Sequence, residues 1–535
     1  MHGGSPSKPS ATGRFGRQRY WDAIEAVDFD VAVVGGGITG ASVYHQLSRD
    51  GYRVLLVEQG DFAGGTSQSS AMWIWGGLLY LRNLELRSVA RFCSARDRMV
   101  RELTESVEAC PIRYMPTRED KRSPRAIAAA LYLYWALGAF RRSRPVVEAE
   151  TPARDLFESG RLGRSLLYEE ARVFPSDARF VLGWILPYLE PSQPALNYCR
   201  LAAGRYDISC RTWRLDLADE LHGGKQIARA RLVVNAAGVW TDRINQQFGI
   251  RTAYKHVLSK GVSIGLPRDP RLSSSLVFET RENGDCMSLT PWGPIALWGP
   301  TETLVADIET GFQAEEADVR LLLEELNRHL IQPATPADVV SLRCGVRPLA
   351  VAHSFIPGAD TLGLSRDFVA ERDRDVPWIS IFGGKITGCQ LAARDVARLV
   401  RTVISPVAPQ RRCDGPRAEP EWDMYPGIAG PMPSAQYCRE WELCCTLEDY
   451  LRRRTNIAQW VTRGGLGRNG ENLPRLLEIA RVFSDGDELV AREAVHAYQR
   501  RVQREFDQVI SACTTSRVAC TSADRLRPFA VDRHG

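Results

Sequence analysis

Gly35, Gly37 and Gly40 stand in VVGGGITGA at the spacing G-x-G-x-x-G, and a carboxylate, Glu58, follows about 20 residues later. Those residue types at that spacing can hold a dinucleotide. The first glycine permits a tight turn, and the second lets the backbone approach a pyrophosphate. The third allows a helix to pack closely on a strand, the helix N-terminus faces the phosphate charge, and the carboxylate takes ribose hydroxyls. A glycine triplet alone is weak evidence, so the flanking elements matter. Asp30 to Val34 reads as a strand buried on both faces, Ala41 to Ser48 as a helix ended by Gly51, and Arg53 to Glu58 as a second strand.

NAD and FAD share this fingerprint, and three further stretches favour FAD. Ala63 to Leu81 carries Gly65, Thr66, Ser67, Gly76 and Gly77; Ala237 and Gly238 follow the strand and turn RLVVNAAG; Gly383, Gly384 and Lys385 follow the strand Trp378 to Phe382. Separated loops of small residues imply one long ligand threading through a Rossmann-type α/β domain. Lys385, next to two glycines, is placed for the flavin ring, where a cation stabilises the reduced anion.

The rest of the chain sets bounds. Its 535 residues exceed one core and suggest about three domains. A net charge of +5 is too weak to imply nucleic acid. The 13 cysteines are scattered with no C-x-x-C pair, and the 8 histidines are dispersed, so no metal site is expected. Reduced thiols and the lack of an apolar leader in the first residues point to the cytoplasm. The apolar run Ala126 to Phe140 is shorter than the roughly 20 residues that span a bilayer, and arginines flank it. It reads either as a buried helix or as an interfacial helix on anionic lipid, which would place the protein at the inner face of the membrane.

The expected organisation is a flexible N-terminal tail over 1–27, then the first part of an FAD-binding domain, with insertions, over 28–253 and a mixed α+β substrate cap over 254–340. The FAD-binding domain returns over 341–405, a proline-rich linker covers 406–433, and a helical C-terminal domain covers 434–520.

With these residues in place, the sequence resembles the FAD-dependent glycerol-3-phosphate dehydrogenases of the wider glycine-oxidase-like flavoprotein group. The resemblance runs through VVGGGITGA, GTS, GGLLYL, PSDARFVL, NAAGVWTD, PWGPIALWGPTET, GVRPL, SRDF, FGGKIT and the C-terminal LEDYLRRRTNIAQW. It implies non-covalent FAD and hydride removal from an alcohol or amine carbon of an anionic small molecule. It further implies quinone or oxygen as electron acceptor, and a homodimer is open. Arg347, Arg366 and Lys385 match family residues near flavin and substrate, and Tyr80 matches a tyrosine placed to hydrogen-bond the substrate. An arginine fork grips phosphate or carboxylate in two bonds.

Departures from the family pattern are equally informative. Its RSSKLIHGGLRYL reads here SSAMWIWGGLLYL, so basic or titratable groups are replaced by Ser69, Met72, Trp75 and Leu79; the histidine of its KGSH motif becomes Ser263. Activity on glycerol-3-phosphate itself is therefore not expected. Trp73 and Trp75 read either as core or as walls of an enlarged apolar pocket, and His256 and His353 are substitutes for the missing base. Cys344, just before GVRPL, is a point where covalent flavin attachment could occur. Two further functions stand beside the leading one: a true glycerol-3-phosphate dehydrogenase with an altered site, and a flavin-binding scaffold without catalysis.

Overall fold

The computed structural model describes residues 16–148, 153–158, 162–280, 285–355, 364, 366–406, 408–409 and 419–515. Residues 1–15 of the expected tail, most of 407–418 in the expected linker, Ser365 of SRDF and residues 516–520 lie outside them.

The glycine-rich unit folds as its pattern requires. Asp28–Val34, Ile38–Arg49 and Val54–Val57 form strand, helix and strand. Val31, Ala32 and Val33 are fully buried because the sheet is covered on both faces. The strand Asp28–Val34 lies centrally, parallel to Val54–Val57 on one side and to Lys225–Asn235 on the other, with Val33 opposite both Leu56 and Val234. Trp378–Gly383 continues the parallel set beyond Lys225–Asn235, and Phe368–Arg372 closes that edge antiparallel. Each strand end toward the glycine turn thus delivers one ligand-facing loop, as ligand sites on open α/β sheets require.

A second sheet of ten strands forms the cap. Its spine is the antiparallel pair Tyr254–Pro267 and Ser341–Ala352, in unbroken register from Gly265↔Ser341 to Tyr254↔Ala352. The cap sheet therefore runs on through Ala352, past the boundary expected at 340, because breaking the ladder would strand its backbone donors and acceptors. It also recruits Trp73–Ile74, Val107–Tyr114 and Ser165–Val173, which lie within the 28–253 span as insertions into the nucleotide-binding unit.

The expected tail is likewise partly built in. Arg17–Asp22 is helical, with Tyr20 and Trp21 in the main core and Arg17 paired with Asp219 at 3.0 Å. Trp422–Asp423 and Met432–Pro433 make a small ribbon inside the expected linker. The C-terminal helices, chiefly Leu473–Phe483 and Glu488–Val502, gather a core of their own around Leu451, Ile457, Leu476 and Ala491.

One charge cluster ties those helices to the nucleotide-binding unit. Asp61, in the loop after Glu58, accepts from Arg453 at 2.6 Å and from Arg454 at 2.7 and 2.8 Å, and Arg453 also bonds Asp449 at 2.6 Å. Burial pushes the Asp61 carboxyl up, but Arg454 and Arg453 outweigh it and hold the group at about 2. Its pKa is thus depressed on folding, so its stabilisation is present above the unfolded carboxyl range near 4 and is lost as pH falls through about 2. Arg454→Met leaves a buried carboxylate half-compensated and should lower stability by about 3–5 kcal/mol, read as an earlier midpoint in denaturant unfolding at neutral pH.

Candidate active site

A single cavity of about 2010 Å³ runs between the two sheets. It is lined by Gly35, Gly37, Glu58, Gly65, Thr66, Ser67, Gly77, Tyr80, Ala237, Gly238, Arg347, Arg366, Gly383, Gly384 and Lys385. Sequence reasoning thus brought together residues from opposite ends of the chain.

The dinucleotide end is shaped by contacts that leave no room for side chains. Gly35 has φ +106°, and a Cβ there would lie 2.6 Å from the Ala236 carbonyl oxygen. At Gly40 it would meet the Gly35 carbonyl oxygen at 1.8 Å, so this glycine packs helix on strand and does not face the cavity. Gly37 differs. Its Cβ would touch only Ser67 Oγ, at 3.1 Å, so the protein itself leaves that approach open for a ligand. Gly238, φ +58°, likewise has nothing within 4 Å.

Glu58 accepts from the Gly36 amide at 2.6 Å and the Gly60 amide at 2.8 Å. Burial nevertheless pushes its carboxyl above the ordinary range, a cost that hydroxyl donors from a ribose would offset. Ser67 Oγ accepts from the Ile38 amide at 2.9 Å and so occupies part of the helix N-terminus. These residues fit FAD: Glu58 for the ribose, the Gly35–Gly37 turn for the pyrophosphate, and the Gly65–Ser67, Ala237–Gly238 and Gly383–Lys385 loops along its length.

Gly76 is a correction to the expected cofactor contacts. It does not line the cavity; its Cβ would meet Tyr134 Oη at 2.2 Å and Cys93 Sγ at 2.8 Å. It packs against a buried network in which Glu170 accepts from Arg96 at 2.8 Å and from Tyr134 at 2.5 Å. Gly77, φ +92°, is the one of the pair that faces the ligand.

At the substrate end, Lys385 Nζ lies 4.4 Å from the Tyr80 ring centre and 3.7 Å from that of Phe92. Burial between these rings holds its ammonium down at about 7. Arg347 donates to Ser259 Oγ and the Thr301 carbonyl, each at 3.3 Å, and to the Lys260 carbonyl at 3.4 Å; no carboxylate pairs with it among the described residues. Burial and then Arg366 push its pKa down, against the opposing pull of the Glu302 and Asp285 carboxylates. Gly261 makes room for it, since a Cβ there would sit 2.2 Å from a guanidinium nitrogen. Arg366, by contrast, is ion-paired with Glu302.

The histidine substitutes are not in the site. His256 Nδ1 faces Asp242 at 3.2 Å and its Nε2 accepts from the Gly383 amide at 3.0 Å, so both ring nitrogens are used in bracing the Gly383–Lys385 turn. His353 is exposed and does not line the cavity. Cys344 turns to the Gly311 carbonyl at 3.4 Å, on the strand face opposite Arg343, Gly345 and Arg347, and does not line the cavity either. Among the replaced family positions, Ser69, Trp75 and Leu79 line it, whereas Met72 is fully buried in the main core and Ser263 is buried beside Gly299.

Sequence reasoning missed three contributors. Trp240 closes over Gly65, whose Cβ would be 2.9 Å from its ring, and stacks on Phe312 at 5.6 Å. Asp177, paired with Arg343 at 2.6 Å, accepts from the Ser70 amide at 2.9 Å and pins the Ser69–Ser70 loop. Glu448, Arg453 and Arg501 bring the C-terminal helices to the dinucleotide end. PSDARFVL contained the Asp177 signal, as a capping segment; no local pattern marks the others.

Residues 30–388 match the family model described as FAD dependent oxidoreductase (DAO), and the chain belongs to that family. It is an FAD-dependent oxidoreductase resembling glycerol-3-phosphate dehydrogenase. A Mycobacterium leprae glycerol-3-phosphate dehydrogenase is 31% identical over 414 residues, 75% of this chain and 68% of the relative. An aerobic glycerol-3-phosphate dehydrogenase of Staphylococcus aureus is 27% identical over 398 residues, 73% of this chain and 70% of the relative. The solved Bacillus halodurans glycerol-3-phosphate dehydrogenase complexed with FAD superposes with a TM-score of 0.67 at 18% identity, covering 92% of this chain and 98% of that one. It shares the fold. Among the described residues, no helix is long and apolar enough to cross a membrane.

Two glycine substitutions separate ligand contact from packing. Gly37→Val should yield folded, colourless protein, because the added methyls occupy the pyrophosphate approach. Gly76→Ala should instead lower stability by about 1–3 kcal/mol through overpacking. Far-ultraviolet circular dichroism with flavin absorbance distinguishes the two.

Proposed function

We propose that the chain oxidises an alcohol or amine carbon of an anionic small molecule other than glycerol-3-phosphate, with FAD held non-covalently. The observation that carries this reading is Arg347: a half-buried guanidinium with neutral partners, facing the same cavity as the cofactor loops. A carboxylate or single phosphate would supply the counter-charge it lacks. The charged loop that a small phosphorylated polyol would need is here Ser69, Trp75 and Leu79.

FAD, when bound, supplies the acceptor for a hydride. Lys385 is the residue that takes the proton from the substrate hydroxyl or amine at Nζ, since a group titrating at about 7 is neutral in a large fraction at physiological pH. Tyr80, under Lys385, offers its hydroxyl to the substrate. Arg366, balanced by Glu302, orients the anionic end without adding net charge. The electron acceptor is quinone or oxygen. Contact with an anionic membrane surface through residues 126–140 is supported by the exposed Leu133 and Phe140 beside basic residues.

Arg347→Met should raise the Michaelis constant roughly 30- to several-thousand-fold with FAD content unchanged, and Arg347→Lys should rescue only in part. Wild-type kinetics in Arg347→Met would sink the anionic-substrate reading. If neutral Lys385 is the base, kcat/KM rises with pH through about 7 and levels above it, and Lys385→Met removes that limb. Glycerol-3-phosphate with an artificial electron acceptor should give little or no turnover; a micromolar Michaelis constant would instead mark a true glycerol-3-phosphate dehydrogenase. Bleaching of the flavin by no member of a metabolite panel would favour a non-catalytic flavoprotein.

A further inference from the structure

The cavity does not stop at the residues that a dinucleotide and a three-carbon substrate would need. It continues past Trp75 into a space between the cap sheet and the helix Pro124–Leu137. On the sheet side, Tyr114, Tyr168 and Val277 line it; Val277 pairs directly with Tyr114, and Tyr168 stands two residues from the partner of Tyr114 on the next strand, so all three share one face. On the helix side the lining is Ile127, Ala130 and Leu131, three and four residues apart as one helical face demands. Trp73 and Trp75, with ring centres 5.2 Å apart, form the wall toward the cofactor loops.

The polar atoms of Tyr114 and Trp73 are turned into the protein. Tyr114 Oη bonds Glu279 at 3.1 Å, and Trp73 Nε1 donates to Thr290 Oγ1 at 3.3 Å. The walls formed by these side chains present mainly ring faces and aliphatic carbon; Lys121, Arg122, Thr280 and Asp285 also line the cavity. The cavity as a whole, about 2010 Å³, also exceeds the roughly 300–1,000 Å³ typical of a site for one drug-sized ligand, leaving volume for a substantial substrate beside the dinucleotide.

We infer that this chamber is a substrate subsite for an aryl or branched-alkyl group, so that the molecule oxidised carries an apolar body as well as an anionic end. The inference rests on the functional reading above for the position of the anion, at Arg347. The aromatic and aliphatic walls would not replace the hydration shell of a polyol, whereas an apolar body leaves water for a matching surface.

The test uses the FAD-loaded full chain and reads perturbation of the flavin visible spectrum by acetate, 3-phenylpropionate and 3-phenyl-1-propanol. The expected result is that 3-phenylpropionate binds roughly 10- to 100-fold tighter than acetate. Ala130→Phe, which fills the chamber from the helix without removing a core side chain, should erase most of that advantage and leave acetate binding and FAD content as they were. Ala130→Leu, a smaller intrusion, should erase less and guards against loss of the folded protein in the larger variant. Equal binding of acetate and 3-phenylpropionate would overturn the chamber while leaving the Arg347 reading intact. Binding of the alcohol as tightly as the acid would support the chamber and remove the anionic reading instead. If a short-chain ubiquinone analogue, and not 3-phenylpropionate, loses affinity in Ala130→Phe, the chamber serves the electron acceptor and the proposal falls.

Discussion

Asp61 is 3% exposed, and its carboxyl is held below the usual range because two guanidinium groups from the C-terminal helices converge on it. An isolated charge so placed would cost several kcal/mol, so the loop that carries it and the segment Tyr450–Arg454 that answers it must form together. That loop leads from Glu58 to Gly65, the stretch that walls the dinucleotide end of the cavity. Asn197 joins from the bend after the strand Ala195–Leu196, donating to Asp61 and to the Leu443 carbonyl at 2.8 Å each, and Arg17 donates to the Asn197 carbonyl at 2.7 Å. The N-terminal helix, the nucleotide-binding unit and the C-terminal helices thus share one buried polar junction. The C-terminal helices, which touch no substrate group, are in this way part of what shapes the cofactor site.

The cavity itself is electrically graded. Its dinucleotide end carries acidic Glu58 and a helix N-terminus partly capped by Ser67, a setting for ribose hydroxyls and a pyrophosphate. Its middle holds Lys385, Arg366 and Arg347, but these cations are not alike. Arg366 is ion-paired with Glu302, Lys385 is pressed toward neutrality by aromatic surroundings, and Arg347 makes its hydrogen bonds to neutral groups. The far end is walled chiefly by aromatic and aliphatic side chains, Tyr114, Tyr168, Val277, Ile127 and Leu131 among them. On the proposed reading, such a gradient would orient an amphipathic anion end-on.

Precision in the middle comes from bracing groups that never reach the ligand. His256 clamps the Gly383 amide, Asp177 and Arg343 fix the Ser69–Ser70 loop, and Glu170 with Arg96 supports Gly76. His256, Asp177 and Glu170 accept from backbone amides and Arg343 donates to the Ser70 carbonyl, so these turns are held by the protein's own hydrogen bonds.

By itself the sequence determined the nucleotide-binding unit, the cofactor class and the identity of most cavity-lining loops. Those features rest on local rules: a glycine whose Cβ would strike the neighbouring strand, a β-branched run buried on both faces, a carboxylate at the end of the second strand. Tertiary structure alone decided which glycine of the Gly76–Gly77 pair faces the ligand, since that depends on Tyr134 and Cys93 from distant helices. It also decided that His256 is a brace and not a base, that Met72 and Ser263 lie away from the cavity, and that the strand Ser341–Ala352 belongs to the cap sheet. The physical reason is common to all of these: spacing along a chain fixes what a backbone turn can do, but the partners of a buried side chain come from strands and helices that only packing brings near.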